Sequence, residues 1–247
     1  MIIPSAADVI RAWELGKDRV SWYRAMLMLA PTYPDLPFDD LAEMSIGERN
    51  RNLFELRSRL FGDTLHAQVK CPECATIVEF DLEISDVLNM TSGVTFTEEY
   101  EAVLEPFVIT YRLPNSADLQ AMDNVGTKGL NSPDYIRNCL KKVQNRNGET
   151  VLENVPEKVI RMVKELISEK SELAELNLDI ACSECKHEWL SNFDIVEFLW
   201  NEFTLQAKQL LNQVHTLASR YCWREADILA MSAVRRSYYL QLQNDVE

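Results

Sequence analysis

Apolar positions recur at helical spacing through the first sixty residues of the chain. Ser5 precedes Ala-Ala-Asp, so Ser5 and Asp8 predict a capping box at a helix start. Val9, Ile10 and Trp13 supply its apolar stripe, and Gly16 is predicted to end it. A second helix is predicted over about 18–30, carried by Val20, Trp22, Tyr23, Met26, Leu27 and Leu29. Pro31, Pro34 and Pro37 then predict an extended connection, because proline lacks the amide donor and restrains its predecessor. Ser45 with Glu48 repeats the cap signal; Leu53, Leu56 and Leu60 form the stripe, and Gly62 is the stop.

The period then changes. Residues 65–70 and 75–82 are short and rich in Val, Ile and Phe, and they flank Cys71-Pro-Glu-Cys74, which predicts a β-hairpin with a knuckle at its turn. Strands are predicted over 100–104 and 107–113, joined near Pro106, and a short helix over 116–122. Gly126 and Gly129 loosen the chain before Ser132-Pro133, a helix start. Tyr135, Ile136, Cys139, Leu140 and Val143 fit one helical face. Asn147-Gly148 signals a turn, and a helix is predicted over 156–170. A strand over 176–181 leads into Cys182-Ser-Glu-Cys185. Beyond Asp194 a long helix carries Leu199, Phe203, Leu210, Val214, Leu217 and Tyr221 on one stripe, followed by short helices over 226–231 and 235–242. No fixed-period repeat is evident; one echo sets Phe80-Asp81-Leu82 beside Phe193-Asp194-Ile195.

Composition narrows the class. The 247 residues are 47% hydrophobic and 26% charged, with a net charge of −14, which suits a globular chain with a real core. Affinity for nucleic acid comes largely from basic residues that displace counterions, so 39 acids against 25 bases speak against broad nucleic-acid binding. The opening MIIPSAADVIRAW has no basic stretch followed by a long apolar run, so no signal peptide is expected. No apolar stretch approaches the ~20 residues of a membrane span. A cytoplasmic protein is expected, with its thiols reduced.

Two CxxC pairs in a reduced compartment point to metal. Each turn offers two sulfurs to one ion, and two turns complete the four-thiolate tetrahedron that structural zinc prefers. The pairs are separated by 107 residues, where roughly 15–20 is usual. Closing so long a loop costs on the order of 4 kcal/mol, against roughly 10–16 kcal/mol from structural zinc, so the metal term wins. The expected ligands are Cys71, Cys74, Cys182 and Cys185. Competing readings are a redox pair at each CxxC, plain buried cysteines, and a mixed site drawing on His187 or His66. Cys139 and Cys222 sit alone on helical faces and read as core. Four thiolates leave no open position for water, so the site should do no chemistry. Phosphate-loop, dinucleotide, HExxH and GxSxG patterns are absent, and the three histidines form no recognisable triad with a nucleophile. No enzyme is expected.

The C-terminal segment is the most distinctive. It runs His215-Thr-Leu-Ala-Ser-Arg-Tyr-Cys-Trp223-Arg-Glu-Ala-Asp-Ile-Leu229, then Arg235-Arg236-Ser-Tyr-Tyr239-Leu. Together with Leu41 to Arg49, Leu56 to Gly62 ahead of the first knuckle, and Asp194 to Trp200 after the second, it resembles the T-even-phage-type baseplate family of contractile phage tails and phage-like contractile injection systems, often described as hub assembly proteins or chaperones. The resemblance is strongest over 46–80 and 182–240. It implies an assembly or structural part with baseplate partners (hub, spike or wedge subunits), and no catalysis. Trp223, Arg235, Arg236, Tyr238 and Tyr239 are of the types enriched at interface hot spots; the competing reading has Trp223 and one tyrosine in the core and the arginines paired with local acids.

The expectation is therefore an α+β fold, mainly α. A central four-cysteine zinc ribbon of small antiparallel β-structure is built from residues 64–90 and 176–193. It lies between a helical region, 1–63, and another, 194–247, with an α/β insert at 91–175. The alternative function is a zinc-ribbon nucleic-acid-binding or transcription adaptor, which the acids Glu73, Glu79, Asp81, Glu184 and Glu188 around the knuckles oppose.

Overall fold

A computed structural model describes residues 1–93, 95–125, 133–145, 148, 155–171 and 173–244. In chain order the elements are α1 (Ala6–Gly16), α2 (Ser21–Leu29), a 3-10 turn (Ala30–Thr32), α3 (Phe38–Glu43), α4 (Ile46–Phe61), β1 (Thr64–Lys70), β2 (Ile77–Glu83), α5 (Ile84–Met90), β3 (Tyr100–Leu104), β4 (Phe107–Tyr111), α6 (Ser116–Val125), α7 (Pro133–Cys139), β5 (Leu140–Gln144), α8 (Glu157–Lys170), β6 (Leu176–Ala181), β7 (Glu188–Phe193), α9 (Ile195–Tyr221), α10 (Glu225–Leu229) and α11 (Ala233–Asn244). The fold is mixed α+β, with helix dominant and, among the described residues, all strand pairs antiparallel. It divides into two compact units, Met1–Phe38 with Ile195–Glu247, and Asp39–Asp194.

In the first unit α9 is the spine against which α1, α2, α10 and α11 pack. The Ser5–Asp8 capping box forms in both directions. Leu199, Phe203, Leu210, Val214 and Leu217 of α9 are buried as their spacing predicts. Gly16 plays a different part from the one expected of it. It is the last residue of α1, followed by a right-handed Lys17, and a Cβ at this position would lie 2.5 Å from Cη2 of Trp200. It therefore serves close packing rather than a left-handed stop. The three-proline connection is also more structured than expected. It holds the 3-10 turn, with Pro31 in its first positions, and then α3, whose first turn carries Asp39 and Asp40 at the positive helix end.

Among the described residues the second unit contains three small sheets. In one, β3, β4 and β5 form a three-stranded sheet whose inner face (Ile109, Tyr111, Leu140, Val143) packs with Tyr135 and Ile136 of α7 and Val159, Ile160, Val163 and Ile167 of α8. The apolar series from Tyr135 to Val143 is not one helix: α7 stops at Cys139 and Leu140 opens β5. Gly126, Gly129, Ser132 and Asn147 lie outside the described residues, while Gly148 takes φ +78° with its amide bonded to the Asn145 carbonyl. The buried Arg49 guanidinium donates to Asn50 Oδ1 and Ser116 Oγ. Burial pulls its pKa down to about 10, with Asp194 opposing the drop, so it stays charged at neutral pH. Arg112 and Asp118 form a two-pronged ion pair at 2.6 and 2.7 Å.

The other two sheets are the hairpins β1–β2 and β6–β7, and they share one plan. Each cysteine of the first has its counterpart 111 positions later. The same offset relates the starts of α4 and α8 and of β2 and β7, and it relates Ile84, which opens α5, to Ile195, which opens α9. It also relates the positive-φ residues: Gly62 (+92°) to Leu173 (+59°), and Ala75 (+62°) to Lys186 (+62°). The chain thus repeats a helix–strand–knuckle–strand–helix unit once. The echo read from Phe80 and Phe193 is out of register by two; Leu82 is the counterpart of Phe193.

Candidate metal centre

The two hairpins present their turns to one point. In the first, Cys71 N–H donates to the Thr76 carbonyl at 2.8 Å and Ala75 N–H to the Cys71 carbonyl at 3.0 Å. In the second, Cys182 N–H donates to the His187 carbonyl at 2.9 Å and Lys186 N–H to the Cys182 carbonyl at 3.1 Å. The left-handed residue after each second cysteine turns the chain back into the return strand, and the CxxC sulfurs end on one side of the turn. Left-handed backbone is uncommon for side chains such as those of Ala75 and Lys186, so both knuckles carry the same strained position.

The sulfurs of Cys71, Cys74, Cys182 and Cys185 all lie within 4.8 Å of one another. Across the knuckles, Cys71 and Cys185 are 3.7 Å apart and Cys74 and Cys182 are 3.6 Å apart. A tetrahedral ion with sulfurs at ~2.3 Å requires edges of about 3.8 Å. The observed separations match that figure and far exceed the ~2.05 Å of a disulfide. Cys71 and Cys182 are buried, while Cys74 and Cys185 face solvent.

Charge makes the same point. The Thr76 hydroxyl, 3.3 Å from Cys74 Sγ, holds that thiol down to about 6 with help from the Thr76 amide. Cys185 receives the corresponding lowering bond from the His187 amide, yet desolvation and the adjoining sulfurs push it up to about 12. Four thiolates packed this closely repel one another, and a divalent cation removes that repulsion. The four-sulfur donor set is therefore compatible with a metal site. Thr76, whose amide serves Cys74, was not singled out in the sequence; His187 was weighed there as a ligand, and it is its backbone amide that serves Cys185. The shared signal is their place two residues after each second cysteine.

The histidines do not converge on this point. His66 Nδ1 sits 2.7 Å from Asp81 Oδ1 on the exposed face of the first hairpin, and His187 stacks on Trp189. Cys139, the last residue of α7, is fully buried in the core, where burial pushes its thiol up to about 12. Cys222 departs from expectation: it follows the end of α9, exposed, with φ +53°. A cavity of about 280 Å³ in the second unit is lined by Ile46, Leu113, Tyr135, Ile136, Lys164 and Ser171, among others.

The five residues singled out for partner contact divide between surface and interior. Trp223 stacks on Tyr221 with centroids 4.5 Å apart and meets Tyr239 edge-on at 4.9 Å, all against Val214, Leu217 and Ile228. Arg236 is 5% exposed and pairs with no acid among the described residues; it donates to Gln213 Oε1 and the Met231 carbonyl. Arg235 and Tyr238 face solvent.

Among the described residues no helix is long and apolar enough to cross a membrane. Residues 35–200, two thirds of the chain and spanning both knuckles, match the family model described as T4 bacteriophage base plate protein. No curated protein and no solved structure matches the chain.

Proposed function

The chain belongs to the T4 bacteriophage base plate protein family, and on that premise we propose that it is a non-enzymatic building or assembly component of a contractile phage tail or phage-like injection system, fastened internally by one zinc ion. Family membership carries with it a structural role in a multi-subunit phage baseplate. The finer reading has the chain made in the cytoplasm and docked onto hub, spike or wedge subunits. Trp223, Arg235, Arg236, Tyr238 and Tyr239 form or support that contact, and no nucleic acid or membrane is engaged.

The observation that carries the zinc reading is the convergence of four sulfurs from turns 107 residues apart in the chain. Cys71, Cys74, Cys182 and Cys185 hold the ion, which supplies a cross-link and no reaction. In this reading residues 64–90 and 176–193 are the halves of a zinc ribbon, 1–63 and 194–247 are helical ends, and 91–175 is an insert. The supporting result is protein purified from zinc-replete medium that carries one zinc per chain by elemental analysis, releases it to a chelator with partial unfolding, and co-purifies with baseplate subunits. Folded, metal-free protein overturns the zinc reading. Failure to recover any baseplate subunit from metal-replete buffer, or submicromolar salt-dependent binding to DNA or RNA, overturns the baseplate reading in favour of a zinc-ribbon adaptor.

A further inference from the structure

The outer face of α11 carries a stripe that the fold leaves uncovered. Val234 is 81% exposed, Tyr238 61% and Leu242 38%. Their spacing of four puts them on one side of the helix, over about 12 Å. The inner side is occupied differently. Arg236 is buried under its bonds to Gln213 and the Met231 carbonyl, and Tyr239 and Leu240 pack on Val214, Leu217 and Ile228. The outer stripe is therefore held on a helix that is itself fixed to α9.

Two features say what fits there. The first is charge. The chain carries −14 overall, yet residues 233–244 contain Arg235 and Arg236 and no acid. The exposed Arg235 guanidinium makes no ion pair or hydrogen bond among the described residues, its backbone amide alone bonding Ser232 Oγ. The second is area. Three partly exposed side chains offer on the order of 300 Å² of apolar surface, against ~800 Å² per partner for an interface that stands alone. A second copy of this chain has too little to gain from pairing on this stripe. An occupant held nearby by other contacts needs no more than this.

We propose that the Val234–Tyr238–Leu242 face of α11 docks an amphipathic helix of another baseplate subunit, whose aliphatic residues pack across Tyr238 and whose carboxylate pairs with Arg235. A helix is the occupant because a straight row of side chains at four-residue spacing packs into the corresponding grooves of a second helix. Trp223, Tyr239 and Arg236 act from beneath, by holding α11 in place. The proposal rests on the baseplate reading and names its contact.

The test uses the full chain assembled into particles, with a benzophenone amino acid at position 238 or, as control, at the exposed Leu205. Irradiation at 238 is expected to yield a cross-link that peptide sequencing traces to an acid-bearing helical segment of one other baseplate subunit, with none at 205. In parallel, Tyr238→Ala and Arg235→Glu are expected to lower incorporation into sedimented baseplates about tenfold or more, while Arg235→Lys retains most of it; all three should melt as wild type does. A cross-link to a second copy, a cross-link to an extended or acid-free segment, or normal incorporation of both Tyr238→Ala and Arg235→Glu overturns the docking proposal while leaving the baseplate reading in place. A wild-type chain that never sediments with baseplates overturns both.

Discussion

Replacing Gly16 with alanine should destabilise the protein, although alanine is the better helix former. The added Cβ would lie 2.5 Å from Cη2 and 2.9 Å from Cζ3 of Trp200, and 3.0 Å from Cδ1 of Leu27. Carbon atoms rest at about 3.5–4.0 Å, so the indole must retreat by roughly 1 Å. It has little room: Trp200 is 5% exposed, and the Arg24 guanidinium lies over its ring at 5.0 Å. Arg24 is itself bonded to the Gly16 carbonyl at 3.1 Å and to the Lys17 carbonyl at 3.2 Å, and it faces Glu197 at 3.3 Å. Moving the indole therefore disturbs the end of α1 as well. Overpacking costs about 1–3 kcal/mol, and the helix preference for alanine returns at most about 1 kcal/mol. A net loss of about 1–2 kcal/mol is expected from urea unfolding followed by tryptophan fluorescence. Trimming the ring in the same chain (Trp200→Leu) should couple favourably with Gly16→Ala by about 1 kcal/mol or more in a double-mutant cycle. A Gly16→Ala variant more stable than the parent, or strict additivity with Trp200→Leu, would refute the argument.

Three further outcomes follow from other sites. On the zinc reading proposed above, serine at either buried sulfur, Cys71 or Cys182, should abolish the single zinc equivalent, lower the melting temperature and remove the protein's response to chelator; a variant that keeps both metal and stability speaks against the four-thiolate site. Asp118→Asn should cost about 3 kcal/mol, the lower end for breaking a buried pair because the Arg112 side chain is 19% exposed, and equilibrium unfolding would contradict this with a change under 1 kcal/mol. Cys139, raised from 9.0 to about 12 by burial, stays protonated in the fold while the unfolded chain ionises. Its contribution is therefore whole below pH 9 and is lost as pH climbs toward 12, so Cys139→Ala should flatten the alkaline fall in urea midpoint above pH 9; an unchanged slope refutes it.

Much of this fold is written locally. The caps at Ser5 and Ser45, the glycine after α4, the alternating strands and the paired CxxC turns each depend on neighbours within four residues, and each was readable. What was missed depends on partners far along the chain. The run Tyr135–Val143 fits a helix because Leu140 and Val143, three apart, are both buried; pairing with β4 makes residues 140–144 a strand, and the register shift at Thr110/Tyr111 explains the spacing. Helix α5 has only seven residues and no side-chain cap, too little for a periodic signal. The role of Gly16 is set by Trp200, which no reading of α1 alone could supply. The sulfur cluster was legible as chemistry, whereas the split of the C-terminal aromatics and arginines between surface and interior required the packing on α9.

The 111-residue offset has a consequence for how this chain can be recognised. Its two knuckled arms share one order of elements and one turn bonding pattern but dress it differently: where one carries Ile77 and Phe80, the other carries Glu188 and Ser191. A neighbour that reads only main-chain shape meets the motif twice, while one that reads side chains can tell the arms apart. A single polypeptide thereby offers its surroundings one motif in two chemical versions.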